Sequence, residues 1–221
     1  MKDKYTRKKA IEKWDAYYSR KSLIPRFVDW VVELYFSRVF ESCLKKITKN
    51  SKGNIIELGC GSGIMSARLA EKGYDVTVFD ISKEALRISN GNFVKNKAKG
   101  NFVQGDLLNI QLKPGSFDIV WNQGVIEHFD DITEVVLKMN KLVKKGGYLI
   151  LFVPAYNSPL HFAYKILTAL HLKSLWPFDD QIFLRKSELL RIMLNAKTSS
   201  PRVSRVRGSF LFSLAGYSKK E

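Results

Sequence analysis

Cysteine is scarce in this 221-residue chain, which has two, Cys43 and Cys60, and no C-x-x-C pair. That argues against a disulfide framework and a cysteine-rich zinc site, and it fits a reducing compartment, so the expected location is the cytoplasm. Long apolar runs are missing as well. No stretch reaches the ~18 residues of a membrane-spanning helix, and the opening MKDKYTRKKAIEKW is too polar for a secretion signal. Negative charge is in deficit, with 21 Asp and Glu against 37 Lys and Arg, a net +16. Such a field favours anionic partners (nucleic acid, anionic lipid or an acidic small molecule) and is silent about fold. The basic residues gather at the N-terminus, at KNKAK (95–99) and at RVSRVR (202–207). The chain has no internal repeat and no low-complexity tract.

Apolar residues make up 45% of the chain, enough for a full core in one domain. A short polar helix is expected over 8–20, carrying Trp14, Tyr17 and Tyr18. A longer one is expected over 24–47, with apolar residues at Ile24, Phe27, Val28, Val31, Leu34, Tyr35, Val39, Cys43 and Ile47 at helical spacing. A regular alternation then begins. Strands at 54–58, 75–79, 101–103, 117–121 and 148–153 alternate with helices at 63–72, 82–97 and 131–143, the last closed by Gly146-Gly147. Continuously apolar strands between helices predict an α/β protein with a parallel sheet covered on both faces. Residues 155–183 break the rhythm with PLHFAYKILTALHL and LWPFDDQIFL, apolar on almost every side. A helix over 187–195, capped by Ser187, follows. The tail reads as an antiparallel hairpin turning near Gly208.

The stretch NIIELGCGSG (54–63) places three glycines at alternate positions after a strand. Such a turn lets backbone approach a ligand closely and presents a helix N-terminus to it. The dinucleotide fingerprint G-x-G-x-x-G/A is incomplete in either register, because its third position falls on Ile64 or Ser66. Glu57 argues further against a pyrophosphate, which a neighbouring carboxylate would repel. A nucleoside ligand carrying positive charge reverses that sign.

ELGCGSG at 57–63 resembles the first motif of the class I S-adenosylmethionine-dependent methyltransferases, and the resemblance continues in order along the chain. VTVFDIS places Asp80 where that family keeps an acidic residue for the ribose hydroxyls, and Ile81 where an apolar side chain packs on adenine. NFVQGDLLN (101–109) looks like the third motif, with Asp106 toward the adenine amino group and Leu107 over the ring. FDIVWNQGVIEHF (117–129) is similar to the fourth motif of the small-molecule branch, which includes the ubiquinone and menaquinone biosynthetic enzymes. LVKKGGYLILFVP (142–154) matches the turn and strand that follow. The resemblance implies a doubly wound, Rossmann-like, seven-stranded and mostly parallel sheet with a terminal antiparallel strand, a helical N-terminal extension and an insertion after strand five. The expected organisation is one domain over 1–221, with a cap at 1–50, a cofactor-binding core at 51–154, a substrate-covering insertion at 155–186, and a helix with closing strands at 187–221.

The cofactor implied is S-adenosylmethionine, leaving as S-adenosylhomocysteine, with no metal. Its expected contacts are Glu57, Gly59, Cys60, Gly61, Gly63, Asp80, Ile81, Asp106, Leu107, Asn122, Gln123 and Gly124. Simpler roles stand beside these. Asp80 could cap the next helix, although Ser82 is available for that, Asp106 could be a turn aspartate, and Cys60 a small turn residue. His128 is the expected general base if the acceptor is a hydroxyl or acidic carbon; local packing is its other reading. Trp14, Tyr17, Tyr18, Tyr156 and His161 are the candidates for lid and substrate contact.

The principal expectation is methyl transfer to a small acceptor, apolar or lipid-like in view of the insertion. Nucleic acid is less favoured: the Asn/Asp-Pro-Pro-aromatic motif of the amino-directed nucleic-acid enzymes is replaced by WNQG, and the Pro-Cys of the cytosine-carbon enzymes is absent. An RNA or protein methyltransferase and a non-catalytic cofactor-binding scaffold are the alternatives. Peripheral membrane contact and either a monomer or a homodimer are compatible with the sequence.

Overall fold

The computed structural model describes residues 7–19, 23–172, 181–209 and 212–221. Part of the N-terminal basic cluster and the LWPFDD portion of the insertion lie outside the described residues, as do the side chains of Ile24, Phe27, Val28 and Val31. Helices α1 (Arg7–Tyr18) and α2 (Leu23–Ile47) precede a run of β1 (Asn54–Leu58), α3 (Ile64–Glu71), β2 (Asp75–Asp80), α4 (Lys83–Lys95), β3 (Asn101–Gln104), β4 (Phe117–Gln123), α5 (Ile132–Leu142) and β5 (Val143–Pro154). Helices α6 (Pro159–Ala169) and α7 (Lys186–Asn195) and strands β6 (Arg202–Arg205) and β7 (Ser213–Lys219) complete the chain.

The strands form one seven-stranded sheet in the order β3-β2-β1-β4-β5-β7-β6. Neighbours from β3 to β5 are parallel, and β7 runs antiparallel to both β5 and β6. This is the seven-stranded, mostly parallel sheet that the resemblance implies. Successive strand residues serve opposite faces. Ile56, Val120 and Leu151 belong to the core under α5 and α7, which contribute Val135, Met139, Leu189 and Met193. Ile55, Ile119, Ile150 and Phe152 belong to the other core, with Phe40 and Leu44 of α2, Leu69 of α3 and Phe93 of α4. Burial on both faces explains why these strands read as continuous apolar runs. Strand order reverses between β1 and β4, so a crevice opens beyond their C-terminal ends, where open α/β sheets take their ligands.

Two boundaries differ from the sequence expectation. Helix α5 stops at Leu142, because Val143 already pairs with Phe117 and the chain is extended from there. The Gly146-Gly147 pair therefore turns the chain within β5 instead of closing the helix, with Gly146 at φ 80° and its N–H donating to the Lys220 carbonyl. Helix α7 is capped at Arg185, not Ser187. Glu188 reaches back to accept the Arg185 N–H at 2.7 Å, which moves the helix start upstream. The other caps follow local chemistry: the Ser82 hydroxyl accepts from Ala85 N–H (3.0 Å), Asp131 from Glu134 N–H (2.9 Å) and Ser158 from His161 N–H (3.1 Å).

The hairpin of the tail forms as expected around Gly208, at φ 85°. Helix α6 is less covered than its composition suggests, leaving Phe162 66% and Leu170 60% exposed. Among the described residues no helix is long and apolar enough to cross a membrane.

Candidate active site

The turn from β1 to α3 sets the site. Gly59, Gly61 and Gly63 have φ of 76°, 51° and 62°, the left-handed region that costs other residues roughly 1–2 kcal/mol. Space is equally restrictive. A Cβ on Gly59 would lie 2.5 Å from a Val125 methyl, and one on Gly61 would lie 2.4 Å from the Tyr18 hydroxyl. The turn is tied to the neighbouring strand by the Gly59 and Cys60 N–H groups, which donate to the Phe79 carbonyl at 2.7 and 3.2 Å.

Three buried carboxylates surround it. Asp80 Oδ2 accepts the Gly61 N–H and Oδ1 the Ser82 N–H, both at 2.9 Å, so this side chain joins the first turn to the second. Helix capping itself falls to Ser82, and each Asp80 oxygen has further acceptor capacity. Burial pushes the Asp80 carboxyl up; backbone N–H groups of Ser82, Gly61 and Ile81 oppose this, and nearby Asp15 adds to the rise. Glu57 Oε2 accepts the Ser66 hydroxyl at 2.5 Å. Asp106 caps the short 3-10 turn at 107–109 by accepting the Leu108 N–H at 2.9 Å, the turn-aspartate role, while facing the same cavity. The Cys60 thiol is pushed well above its ordinary range by burial, with Asp80 and Glu57 adding to the effect, which disfavours the thiolate that a nucleophile requires.

These groups line one cavity of about 1230 Å³. It gathers Glu57, Gly59, Cys60, Gly61, Gly63, Asp80, Ile81, Asp106, Leu107, Gln123 and Gly124 with His128, Trp14 and Tyr18. Trp14 meets the half-buried His128 ring edge-on at a centroid distance of 5.2 Å. Four expected residues do not line it. Asn122 is fully buried, its side-chain amide without a hydrogen-bond partner among the described residues. Tyr17 packs on Trp14 and Tyr18, at 5.9 and 5.0 Å. His161 accepts the Asn157 N–H through Nδ1 at 3.1 Å, and burial, with Lys165 nearby, holds its pKa below the usual range. Tyr156 borders a separate cavity of about 240 Å³ beside Arg185, whose guanidinium lies 4.4 Å from its ring.

The sequence reading missed Glu127, 1% exposed, and Tyr164, Gln181 and Ile182 of the insertion, all of which line the large cavity. Glu127 is adjacent to His128 in the IEHF segment, and Tyr164 stands one helical turn beyond His161; both signals were present. Gln181 and Ile182 had none. The Ile182 N–H donates to the Glu127 carbonyl at 3.4 Å, a contact between residues distant in sequence.

The donor set fits an adenosyl sulfonium. The collision-limited glycine cradle admits a close ligand, and the buried carboxylates offer acceptors to hydroxyls, an amino group and positive charge. Comparisons with known proteins agree. The family model "Methyltransferase domain" matches residues 56–151. The chain is 28% identical over 158 residues to the ubiquinone biosynthesis O-methyltransferase of Aliivibrio fischeri strain MJ11, covering 68% of this chain and 67% of that protein. With the Vibrio cholerae protein of the same name, strain M66-2, it is 28% identical over 143 residues, 63% of this chain and 58% of the relative. Among solved structures, the magnesium protoporphyrin IX methyltransferase of Synechocystis PCC 6803, with bound SAH, superposes with a TM-score of 0.68 at 18% identity, covering 95% of this chain and 94% of that one. A possible histamine N-methyltransferase from Thermotoga maritima gives 0.66 at 20% identity, covering 95% and 100%.

Residues 56–151 thus match a methyltransferase domain, and the fold is the one seen in the S-adenosylmethionine-dependent methyltransferase structures. The relatives matched in sequence are named for ubiquinone biosynthesis, and the lining of the cavity fits S-adenosylmethionine.

Proposed function

We propose that this enzyme methylates an apolar or lipid-like small acceptor, bound beneath α1 and α6 against the cofactor. The observation that carries this reading is the cavity itself. At about 1230 Å³ it exceeds the ~300–1,000 Å³ of an ordinary single-ligand pocket. It runs from the glycine turn to Tyr164 and Ile182 of the insertion. Its charge opposes a nucleic-acid acceptor: Glu57, Asp80, Asp106, Glu127, Asp130, Asp131 and Glu134 line it, against Lys9 and Lys13. A polyanion attracted by the chain's net +16 would meet a carboxylate-rich interior.

When bound, S-adenosylmethionine would supply an electrophilic methyl group on a sulfonium, whose sulfur leaves with the bonding pair as the thioether. In this reading Asp80 holds the ribose hydroxyls, Ile81 and Leu107 flank the adenine and Asp106 accepts from its amino group. Glu57 and the turn 59–63 hold the cationic end, with Gln123 and Gly124 along the wall of the transfer path. His128, beside Trp14, would take the acceptor's proton at a ring nitrogen, with α1 and α6 screening the site from water. Residues 1–50 act as a cap and 155–186 as the acceptor cover, and a cytoplasmic location suits the two free cysteines. Peripheral membrane contact is compatible with an acceptor of this kind, as are a monomer and a homodimer.

The test is calorimetric titration of S-adenosylhomocysteine into the wild type and Asp80→Ala. Removing one partner from hydrogen bonds to a charged group costs about 1.5–3 kcal/mol, so affinity should fall roughly 10- to 150-fold. A wild type that does not bind sinks the reading, and undiminished binding by the variant sinks the ribose assignment. RNA retention with a steep salt dependence, alongside RNA methylation, would transfer the acceptor assignment to nucleic acid.

A further inference from the structure

Helix α1 has twelve residues, of which only Ala10 is buried among those whose side chains are described. A helix of that length is marginal in water by itself. Yet it touches three cofactor-side segments. Tyr18 stands against Gly61 of the first turn, Trp14 against His128 beyond β4, and Asp15 against the start of α4.

The Asp15 contact is polar and specific. Asp15 Oδ1 accepts the Ser82 hydroxyl at 2.5 Å and the Glu84 N–H at 3.3 Å, across 67 and 69 positions of sequence. Ser82 Oγ meanwhile accepts the Ala85 N–H, and the Ser82 N–H donates to Asp80. The cap of α4 is thus completed by a residue of another helix, whose negative charge suits the helix's positive end. The chain Asp15–Ser82–Asp80 links α1 to the carboxylate assigned to the ribose.

We propose that Asp15 is a positioning residue that latches α1 over the cofactor by finishing the N-terminal cap of α4. The retention function rests on the cofactor reading above; the latch itself does not. Asp15 touches neither the reacting methyl nor the acceptor. It holds Trp14 and Tyr18 where they close the cavity, and so sets how fast the cofactor leaves.

The experiment compares wild type, Asp15→Ala and Asp15→Asn. In the cofactor-free protein, hydrogen exchange of the α1 amides should accelerate about tenfold in Asp15→Ala, the scale of a lost hydrogen bond to a charged group. Stopped-flow dissociation of S-adenosylhomocysteine should accelerate by a similar factor, and KM for S-adenosylmethionine should rise. Asp15→Asn keeps the accepting oxygen and should recover most of the loss. Unchanged α1 exchange in Asp15→Ala overturns the latch. So does exchange in Asp15→Asn as fast as in Asp15→Ala. Unchanged dissociation overturns its role in retention. A wild type that binds no cofactor defeats the cofactor reading instead, and the exchange arm still decides the latch.

Discussion

The cofactor side of the cavity and its coverings are built on different principles. On the cofactor side, the turn 59–63, Asp80 and Asp106 sit at the ends of strands buried on both faces. Backbone hydrogen bonds and left-handed glycines fix their positions. The coverings, α1 and α6, are helices that commit little apolar surface to the core: Ala10 is the one buried described side chain of α1, and His161 that of α6. Rigidity at the strand ends and lighter attachment of the coverings would suit the proposed reaction, in which a substrate must be admitted and water still excluded.

The sharpest way to break this comparison is at the centre of the sheet. Phe152 is 1% exposed and packs on Phe40 of α2 at a centroid distance of 4.7 Å. Phe152→Ala should cost about 3–5 kcal/mol of stability, read by denaturant unfolding, through lost burial and the cavity left behind. A loss below about 1 kcal/mol would mean that the supposed rigid side is as yielding as its covers.

An intermediate case is Glu41 on α2, 4% exposed, which pairs with Lys45 at 2.8 Å, Arg68 at 3.0 Å and Lys72. This cluster fastens α2 to α3. Burial works to raise the Glu41 carboxyl, but hydrogen bonds from Lys45, Lys72 and Arg68 prevail and hold it below the ordinary range. A carboxyl lowered in the folded state stabilises fully above its unfolded pKa, about 4.3, and loses that contribution as pH falls through the folded value. Glu41→Gln should therefore cost about 1.5–3 kcal/mol at pH 7. The difference from wild type should shrink below pH 4, as measured by urea unfolding across pH. A difference independent of pH would remove the charge explanation.

The same division governs what the sequence could reveal. The strand alternation and the ELGCGSG turn were legible because local chemistry creates them: a strand, three glycines, a carboxylate, then Asp80 and Asp106 at the ends of the next strands. Asp15 was illegible because its partners lie 67 and 69 positions away. Ile182 was illegible for the same reason, since its contact is with Glu127. Tyr156 and His161 stand differently, since neither lines the large cavity. They have residue types suited to a substrate site, but His161 is engaged with its own helix start and Tyr156 with Arg185. The Ser187 cap failed on a finer point. Local preference favoured serine, yet Glu188 reaching back to Arg185 decided where α7 begins. Residue type marks a strand-end turn in the sequence, whereas a covering residue is defined by what it touches.

The smallest effect belongs to the outer face of α6. Phe162, Ile166 and Leu170 recur every four residues, and their exposures are 66%, 43% and 60%. Exposed side chains away from special features contribute within about 0.5 kcal/mol, so Phe162→Ser should leave unfolding stability nearly unchanged. Tyr164, two residues on and facing the cavity, offers the internal control. If α6 covers the acceptor, Tyr164→Ala should raise KM for an apolar acceptor severalfold, whereas Phe162→Ser should leave it unaltered. Equal effects from the two substitutions would show that acceptor binding draws on both faces of the helix, and the inner and outer surfaces of the cover would no longer be distinct. A stability loss above about 1 kcal/mol in Phe162→Ser would go further. It would mean that this face is packed in solution, removing the contrast between a tightly built donor side and a lightly attached cover.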